Sequence, residues 1–176
     1  MEQAQVLTFL NNKDRDLLLQ FCGYSTTEPL HSFGPAVRPH YIIHFILNGK
    51  GIFQIREKTY HLETGQGFLI EPDELTFYQS DAQEPWEYLW IGFNGKMIPE
   101  FLKQIGLSSA HPIFHCDKKK ELYWLVNDML VHSKSNFSSD LRRTGLLYEF
   151  LSILALNPLE SDQQVDSEYM YICLLY

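Results

Sequence analysis

Between residues 29 and 93 every apolar run is short, rich in β-branched or aromatic side chains, and cut within a few residues by glycine, proline, asparagine or aspartate. That spacing leaves no stretch for an amphipathic helix and matches an antiparallel sandwich or barrel. Residues 41–47 (YIIHFIL) form the clearest strand; Asn48-Gly49-Lys50-Gly51 turns it, and residues 52–56 are expected to return as its hairpin partner. Residues 58–62 make a further strand, 63–67 a turn, 68–70 a continuation, and Pro72-Asp73-Glu74 turns the chain again. Residues 75–79 and 86–93 supply two more strands.

After Asn94-Gly95 the period changes. Met97, Phe101, Leu102 and Ile105 share one helical face that ends at Gly106, a C-cap residue. Ile113-Phe114 suits one last strand, and residues 118–132 place Leu122, Leu125, Val126 and Met129 on a single helical stripe. A third helix, with Ser138 or Ser139 as its cap, is apolar around nearly its whole circumference until Asn157-Pro158 stops it. Such a helix needs cover on more than one side, and the available covers are the barrel wall and a second copy of itself. Leu147, Leu151 and Leu154 form one stripe, the candidate dimer interface; Leu146, Phe150 and Ile153 form the neighbouring stripe, which stays open as the alternative. Residues 11–21 fit a short helix or a strand equally well. The expected organisation is an N-terminal arm and barrel over 1–115, including a short helix near 96–106, and a helical dimerisation region over 116–158. Residues 159–176 then read as a polar, acidic linker ending in the apolar stub YMYICLLY.

Length and charge narrow the function. A chain of 176 residues suits one compact domain. With 14 Lys and Arg against 22 Asp and Glu, the formal charge of −8 opposes binding to nucleic acid by this chain alone. Three cysteines, Cys22, Cys116 and Cys173, show neither metal-ligand spacing nor a disulfide framework, and the N-terminus lacks the basic and apolar regions of a signal peptide. No apolar run approaches the ~20 residues of a membrane span. A cytoplasmic protein without membrane attachment is expected.

The chemistry-bearing patterns are few. His40 and His44, four apart on a strand, are separated by about 13 Å and cannot share one ion, and the His-x-His of a metal-binding cupin is missing. His111 and His115 read as loop residues. There is no Gly-x-Ser-x-Gly elbow, no basic neighbour to activate Cys22, and no helix after Gly49-Lys50-Gly51 or Gly65-Gln66-Gly67 to make a phosphate cradle. No cofactor, metal or catalytic residue is therefore expected. What stands out is a row of rings: Trp86, Tyr88 and Trp90 alternate along one strand and point to one face, with Tyr78 ending the strand before. Such a row is either barrel core or a surface on which a sugar ring stacks. Arg38, just ahead of a strand, brings five fixed donors suited to paired hydroxyls, or else a surface ion pair.

The ordered set Gly34-Pro35-Ala36-Val37-Arg38-Pro39-His40-Tyr41, Gly49-Lys50-Gly51, Gly65-Gln66-Gly67-Phe68-Leu69-Ile70-Glu71-Pro72 and Pro85-Trp86-Glu87-Tyr88-Leu89-Trp90-Ile91-Gly92-Phe93 resembles the N-terminal effector-binding domain of AraC/XylS-family transcriptional regulators. The resemblance implies a mainly β fold, a cupin-like jelly-roll barrel followed by an antiparallel helix pair. It implies a small effector, typically a sugar, inside the barrel, and a homodimer formed through the helices. By the same resemblance Arg38 before Pro39 binds sugar hydroxyls, Tyr78 follows the proline-containing turn, and the sugar stacks on Trp90. Tyr88 stands where arabinose-responsive members carry His, and Ser25 after Gly23 matches a Thr of the N-terminal segment; His44 completes the candidate ligand-binding set. The resemblance leads to the expectation that the family's helix-turn-helix domain, through which it meets DNA, is missing from this chain. The function expected is a sugar-sensing and dimerisation domain of a regulator of carbohydrate metabolism. The alternative is a metal-dependent cupin enzyme, an isomerase or dioxygenase.

Overall fold

The computed structural model describes residues 3–8 and 15–156. Ten strands and three helices follow in the order β1 (Gln3–Thr8), β2 (Leu18–Thr26), β3 (Ser32–Val37), β4 (Tyr41–Asn48), β5 (Lys50–Ile55), β6 (Lys58–Glu63), β7 (Gln66–Ile70), β8 (Leu75–Ser80), β9 (Glu87–Asn94), α1 (Ile98–Ile105), β10 (Ile113–His115), α2 (Lys119–Val131) and α3 (Phe137–Ala155). One sheet has the order β1-β2-β9-β4-β7-β10 and the other β3-β8-β5-β6. Strands β2 to β9 thus divide between two four-stranded layers as in a jelly roll, crossing from one layer to the other at every connection except the β5–β6 hairpin, with β1 and β10 added at the edges of the first. The fold is mainly β with C-terminal helices, as the sequence reading held.

Several local expectations change. The turn at Gly49 does not close a hairpin, since β5 pairs with β6 and β8, whereas β4 pairs with β7 and β9. It carries the chain from one sheet to the other: Gly49 has φ +80°, and a Cβ there would lie 2.4 Å from the Pro85 carbonyl oxygen. Of the undecided segment 11–21, residues 11–14 lie outside the described residues and the chain is strand from Leu18 onward, and β1 and β3 add two strands without a clear alternating signature. His115 ends β10 instead of lying in a loop. The cap of α3 is Asn136, whose Oδ1 accepts from the Ser139 backbone N–H at 2.8 Å, so Ser138 and Ser139 lie inside the helix.

Two cores result. Between the sheets lie Ile42, Ile46, Phe53, Ile55, Leu62, Phe68, Ile70, Tyr78, Trp86 and Tyr88, with Phe21 and Trp90 packed against them. On the other face of the larger sheet, Ile43, Phe45, Leu69, Leu89, Ile91 and Phe93 meet the apolar stripes of α1, α2 and α3. Each fully buried Leu, Ile or Phe there contributes about 1.5–3 kcal/mol. The helical layer corrects the interface expectation: Leu147, Leu151 and Leu154 are 0, 5 and 4% exposed within the single chain, and Leu146 and Phe150 are buried too. α2 packed antiparallel on α3 and the sheet beneath them already cover both stripes, so a partner could reach neither without unpacking the helix. Among the described residues no helix is long and apolar enough to cross a membrane. Residues 159–176, read from the sequence as linker and stub, lie outside the described residues.

Candidate functional site

Side-chain alternation and strand register build the site. On the inter-sheet face of the larger sheet, directly opposed residues make one row of Thr8, Phe21, Gly92, Ile42 and Ile70, and a second of Val6, Gly23, Trp90, His44 and Phe68. The facing sheet contributes Phe33, paired in register with Tyr78 and stacked on it at 5.7 Å. Arg38, in the crossover between β3 and β4, lays its guanidinium carbon 3.8 Å above the Phe33 ring centre. These rows enclose a cavity of about 340 Å³ lined by Val6, Thr8, Phe21, Phe33, Arg38, Ile42, His44, Ile70, Tyr78, Tyr88 and Trp90. Larger hollows lie on the outside, one over β5 and β6 and one beside Trp124 on α2, and neither touches this cluster of rings.

Five of the six expected ligand residues, Arg38, His44, Tyr78, Tyr88 and Trp90, line this one cavity. Ser25 does not. It is buried opposite Tyr88, two register pairs further along β2 than Gly23, and is not among the residues lining the cavity. Trp86 shares the face of Tyr88 and Trp90 but fills the closed end of the inter-sheet core. The cavity is graded from wet to dry: Val6, Thr8 and Phe33 are exposed at its mouth, Arg38 and Trp90 are half-buried, and His44, Tyr78 and Tyr88 are buried at its floor.

The floor is a cluster of rings with displaced proton affinities. The His44 ring stacks on Phe68 at 4.6 Å and meets Tyr78 at 4.9 Å and Tyr88 at 5.6 Å; Tyr88 in turn meets Trp90 at 5.3 Å. Burial, and after it the Arg38 charge, lowers the His44 pKa to about 3, so the imidazole is neutral. Burial raises Tyr78 to about 12, partly offset by Arg38 and by a hydrogen bond with Tyr88. His44 Nδ1 is buried without a hydrogen-bond partner. His40, by contrast, accepts from Asn94 Nδ2 at 2.9 Å and packs edge-on against Phe21. Among the described residues no group of three or more His, Cys, Asp or Glu is placed to hold a metal ion.

Sequence reasoning missed Val6, Thr8, Phe21, Phe33, Ile42 and Ile70. Their part follows from long-range register, and the one usable local signal was Gly92, where a Cβ would stand 2.1 Å from Phe21 Cζ.

This chain belongs to the family of AraC-like ligand binding domains, whose description matches residues 18–151. It is 37% identical over 143 residues to the Msm operon regulatory protein of Streptococcus mutans, covering 79% of this chain and 50% of that protein. It is 29% identical over 141 residues to the lactose operon transcription activator of Staphylococcus xylosus, covering 79% and 50%, and 29% identical over 145 residues to the raffinose operon transcriptional regulatory protein of Pediococcus pentosaceus, covering 70% and 50%. The chain thus spans about half the length of the curated relatives it matches. Similar solved structures include a cupin 2 conserved barrel domain protein from Salinispora arenicola, 14% identical with a TM-score of 0.43 over 58% of this chain and 84% of that one. Another is YhaK from Escherichia coli, 14% identical with a TM-score of 0.46 over 53% and 45%.

Proposed function

We propose that this chain is the sugar-sensing and dimerisation part of a cytoplasmic transcription regulator of carbohydrate metabolism. The observation that carries the reading is the convergence of Arg38, Trp90, Tyr78, Tyr88 and His44 on one cavity of about 340 Å³. A half-buried indole offers a face to the apolar side of a pyranose, the guanidinium offers paired donors to vicinal hydroxyls, and the tyrosines bind at the floor. Two relatives named for the lactose and raffinose operons support the ligand class. No residue of this site is assigned a catalytic role.

The effect of ligand would be a population shift, one arrangement of arm, barrel and helices binding it better than another. Moving such a switch from 1:99 to 99:1 needs about 5.5 kcal/mol of differential binding. Several hydrogen bonds of about 0.5–1.5 kcal/mol each, with ring stacking, are enough. The arm belongs in this scheme because Val6 and Thr8 on β1 line the mouth, so a ligand touches the edge strand and the barrel together. A DNA-binding domain carried elsewhere in the full regulator would report the shift.

A second copy would dock on the stripe of α3 that its own chain leaves uncovered. Leu141, Gly145, Tyr148, Ser152 and Ala155 are all exposed, at alternating spacings of four and three, on the side of the helix opposite Leu146, Leu147 and Phe150. Nothing lies within 4 Å of a Cβ placed on Gly145, which leaves room for a close helix approach.

The test of the ligand class is a thermal-unfolding screen of mono-, di- and trisaccharides. A sugar at a hundred times its dissociation constant should add about 2.7 kcal/mol of stability. A flat response to every sugar would end the sugar reading.

A further inference from the structure

We propose that His44 is the deep hydrogen-bond acceptor of the cavity, its Nδ1 accepting a hydrogen bond from a ligand hydroxyl at the floor; this rests on the sugar reading above. The argument starts from what a cavity can offer a polyol. Arg38, the Trp90 indole and the Thr8 hydroxyl supply donors. Each sugar hydroxyl also needs somewhere to send its proton, and no Asp, Glu, Asn or Gln lines this cavity. Tyr78 and Tyr88 share a hydrogen bond with one another. His44 Nδ1 is the acceptor that stands at the floor, buried and without a partner.

The backbone around His44 makes the residue hard to explain as packing. It is 3% exposed, flanked on the same face by Ile42 and Ile46, opposite Trp90 on one side and Phe68 on the other. Those neighbours would accept an apolar ring or a branched chain, and burying an unpaired polar atom costs stability. His40, four residues earlier, shows what a satisfied histidine looks like here, with its Nδ1 held by Asn94. Burial, helped by the Arg38 charge, keeps His44 neutral, so an acceptor lone pair persists across the physiological range. A ligand bound this way enters hydroxyl first, with its ring against Trp90 and its outer oxygens at Arg38. A ligand without a donor at its leading end is refused, because it leaves the nitrogen desolvated and unpaired.

Two variants of the 176-residue chain test this, with lactose, raffinose, galactose and glucose as probes in calorimetry and thermal unfolding. His44→Phe keeps the ring and its stacking but removes the acceptor; His44→Asn places an amide oxygen near the Nδ1 position. The expected result is that the sugar which binds the parent chain binds His44→Phe about ten-fold or more weakly, while the ligand-free variant unfolds at the same or a higher temperature, and that His44→Asn recovers much of the binding. Equal affinity in His44→Phe and the parent overturns the proposal and leaves the sugar reading standing. A ligand-free His44→Phe that unfolds well below the parent assigns His44 to the fold and also overturns it. If no probe binds the parent, the sugar reading itself falls and the proposal falls with it.

Discussion

Arg38 and Trp90 illustrate how a residue can matter to a site without holding up the fold. Both are half-buried at the cavity wall, and the guanidinium rests on Phe33 without forming any of the ion pairs found among the described residues. Arg38→Ala is expected to change stability by no more than about 0.5 kcal/mol, and Trp90→Ala to stay folded, while each weakens sugar binding at least about ten-fold. Calorimetry beside thermal unfolding checks both, and sugar affinity equal to that of the parent chain would remove the residue from the site. His44 makes a separate statement about pH. Its pKa is about 3 in the fold and 6.5 ordinarily, so below pH 6.5 the unfolded chain takes up a proton that the fold refuses. Stability therefore falls with falling pH, by up to about 1.4 kcal/mol per unit, until the folded pKa is passed. His40, lowered mainly by burial, acts in the same direction. Glu74 is held below the usual carboxylate range by its hydrogen bond to Arg56, and Asp81 by the backbone N–H groups of Glu84 and Gln83. The window between about pH 6.5 and 5 thus isolates the histidines. Urea midpoints there should drop less for His44→Phe than for the parent; parallel curves would mean that His44 is protonated in the fold.

Strands β4 and β9 were legible because their apolar content is β-branched and aromatic and because both faces are buried, one by each core. Which sheet each strand joins was not legible, since most connections here cross between layers while β5 and β6 stay in one, and the Gly49 turn that crosses has the composition of a hairpin. β3 was missed for a physical reason: it is an exposed strand interrupted by Gly34-Pro35, with its register shifting between Phe33 and Ala36. The site was half legible. Trp90, Tyr88 and Tyr78 could be placed from alternation on their own strands, but Val6 and Thr8 enter through pairing with β2, which nothing local encodes. Ser25 lies two register pairs along β2 from Gly23, outside the cavity lining. Two substitutions probe these elements. Gly92→Ala would drive a methyl into the Phe21 ring, costing about 1–3 kcal/mol and disturbing the cavity wall, so both unfolding temperature and ligand affinity should fall. Asn136→Ala removes the cap of α3 and should cost about 1 kcal/mol, lowering the unfolding temperature by about 2–4 °C with sugar affinity unchanged. An unchanged unfolding temperature would mean that another group satisfies the Ser139 N–H.

At the scale of the whole molecule, the helical layer connects the cavity to whatever surface a partner meets. Asp140 in the first turn of α3 pairs with Arg15, just ahead of β2, and lies 3.6 Å from the buried Arg143, which donates to the His132 and Lys134 carbonyls between α2 and α3. The residues just ahead of β2, the start of α3 and the end of α2 are therefore linked through Asp140 and Arg143. Six large apolar side chains of this layer, Trp124, Val131, Phe137, Leu141, Tyr148 and Leu156, remain exposed. Tyr148 is only partly shielded, by an edge-on contact with Phe101 of α1. The leucines inside α3 hold the monomer together, and the stripe through Leu141 and Tyr148 is the one a second α3 could cover, at about 25 cal/mol per Å² of apolar surface. A paired experiment separates the two faces. Leu147→Lys with Leu151→Lys puts two ammonium groups into the helix–sheet core and should give an unfolded or aggregated chain. Leu141→Glu with Tyr148→Glu leaves every buried contact of that core in place and should give a folded monomer by sedimentation with the circular dichroism of the parent. A parent chain that sediments as a monomer would remove the dimer altogether. If the glutamate variant is still dimeric, the contact moves to the other exposed apolar face, through Trp124 and Val131 on α2.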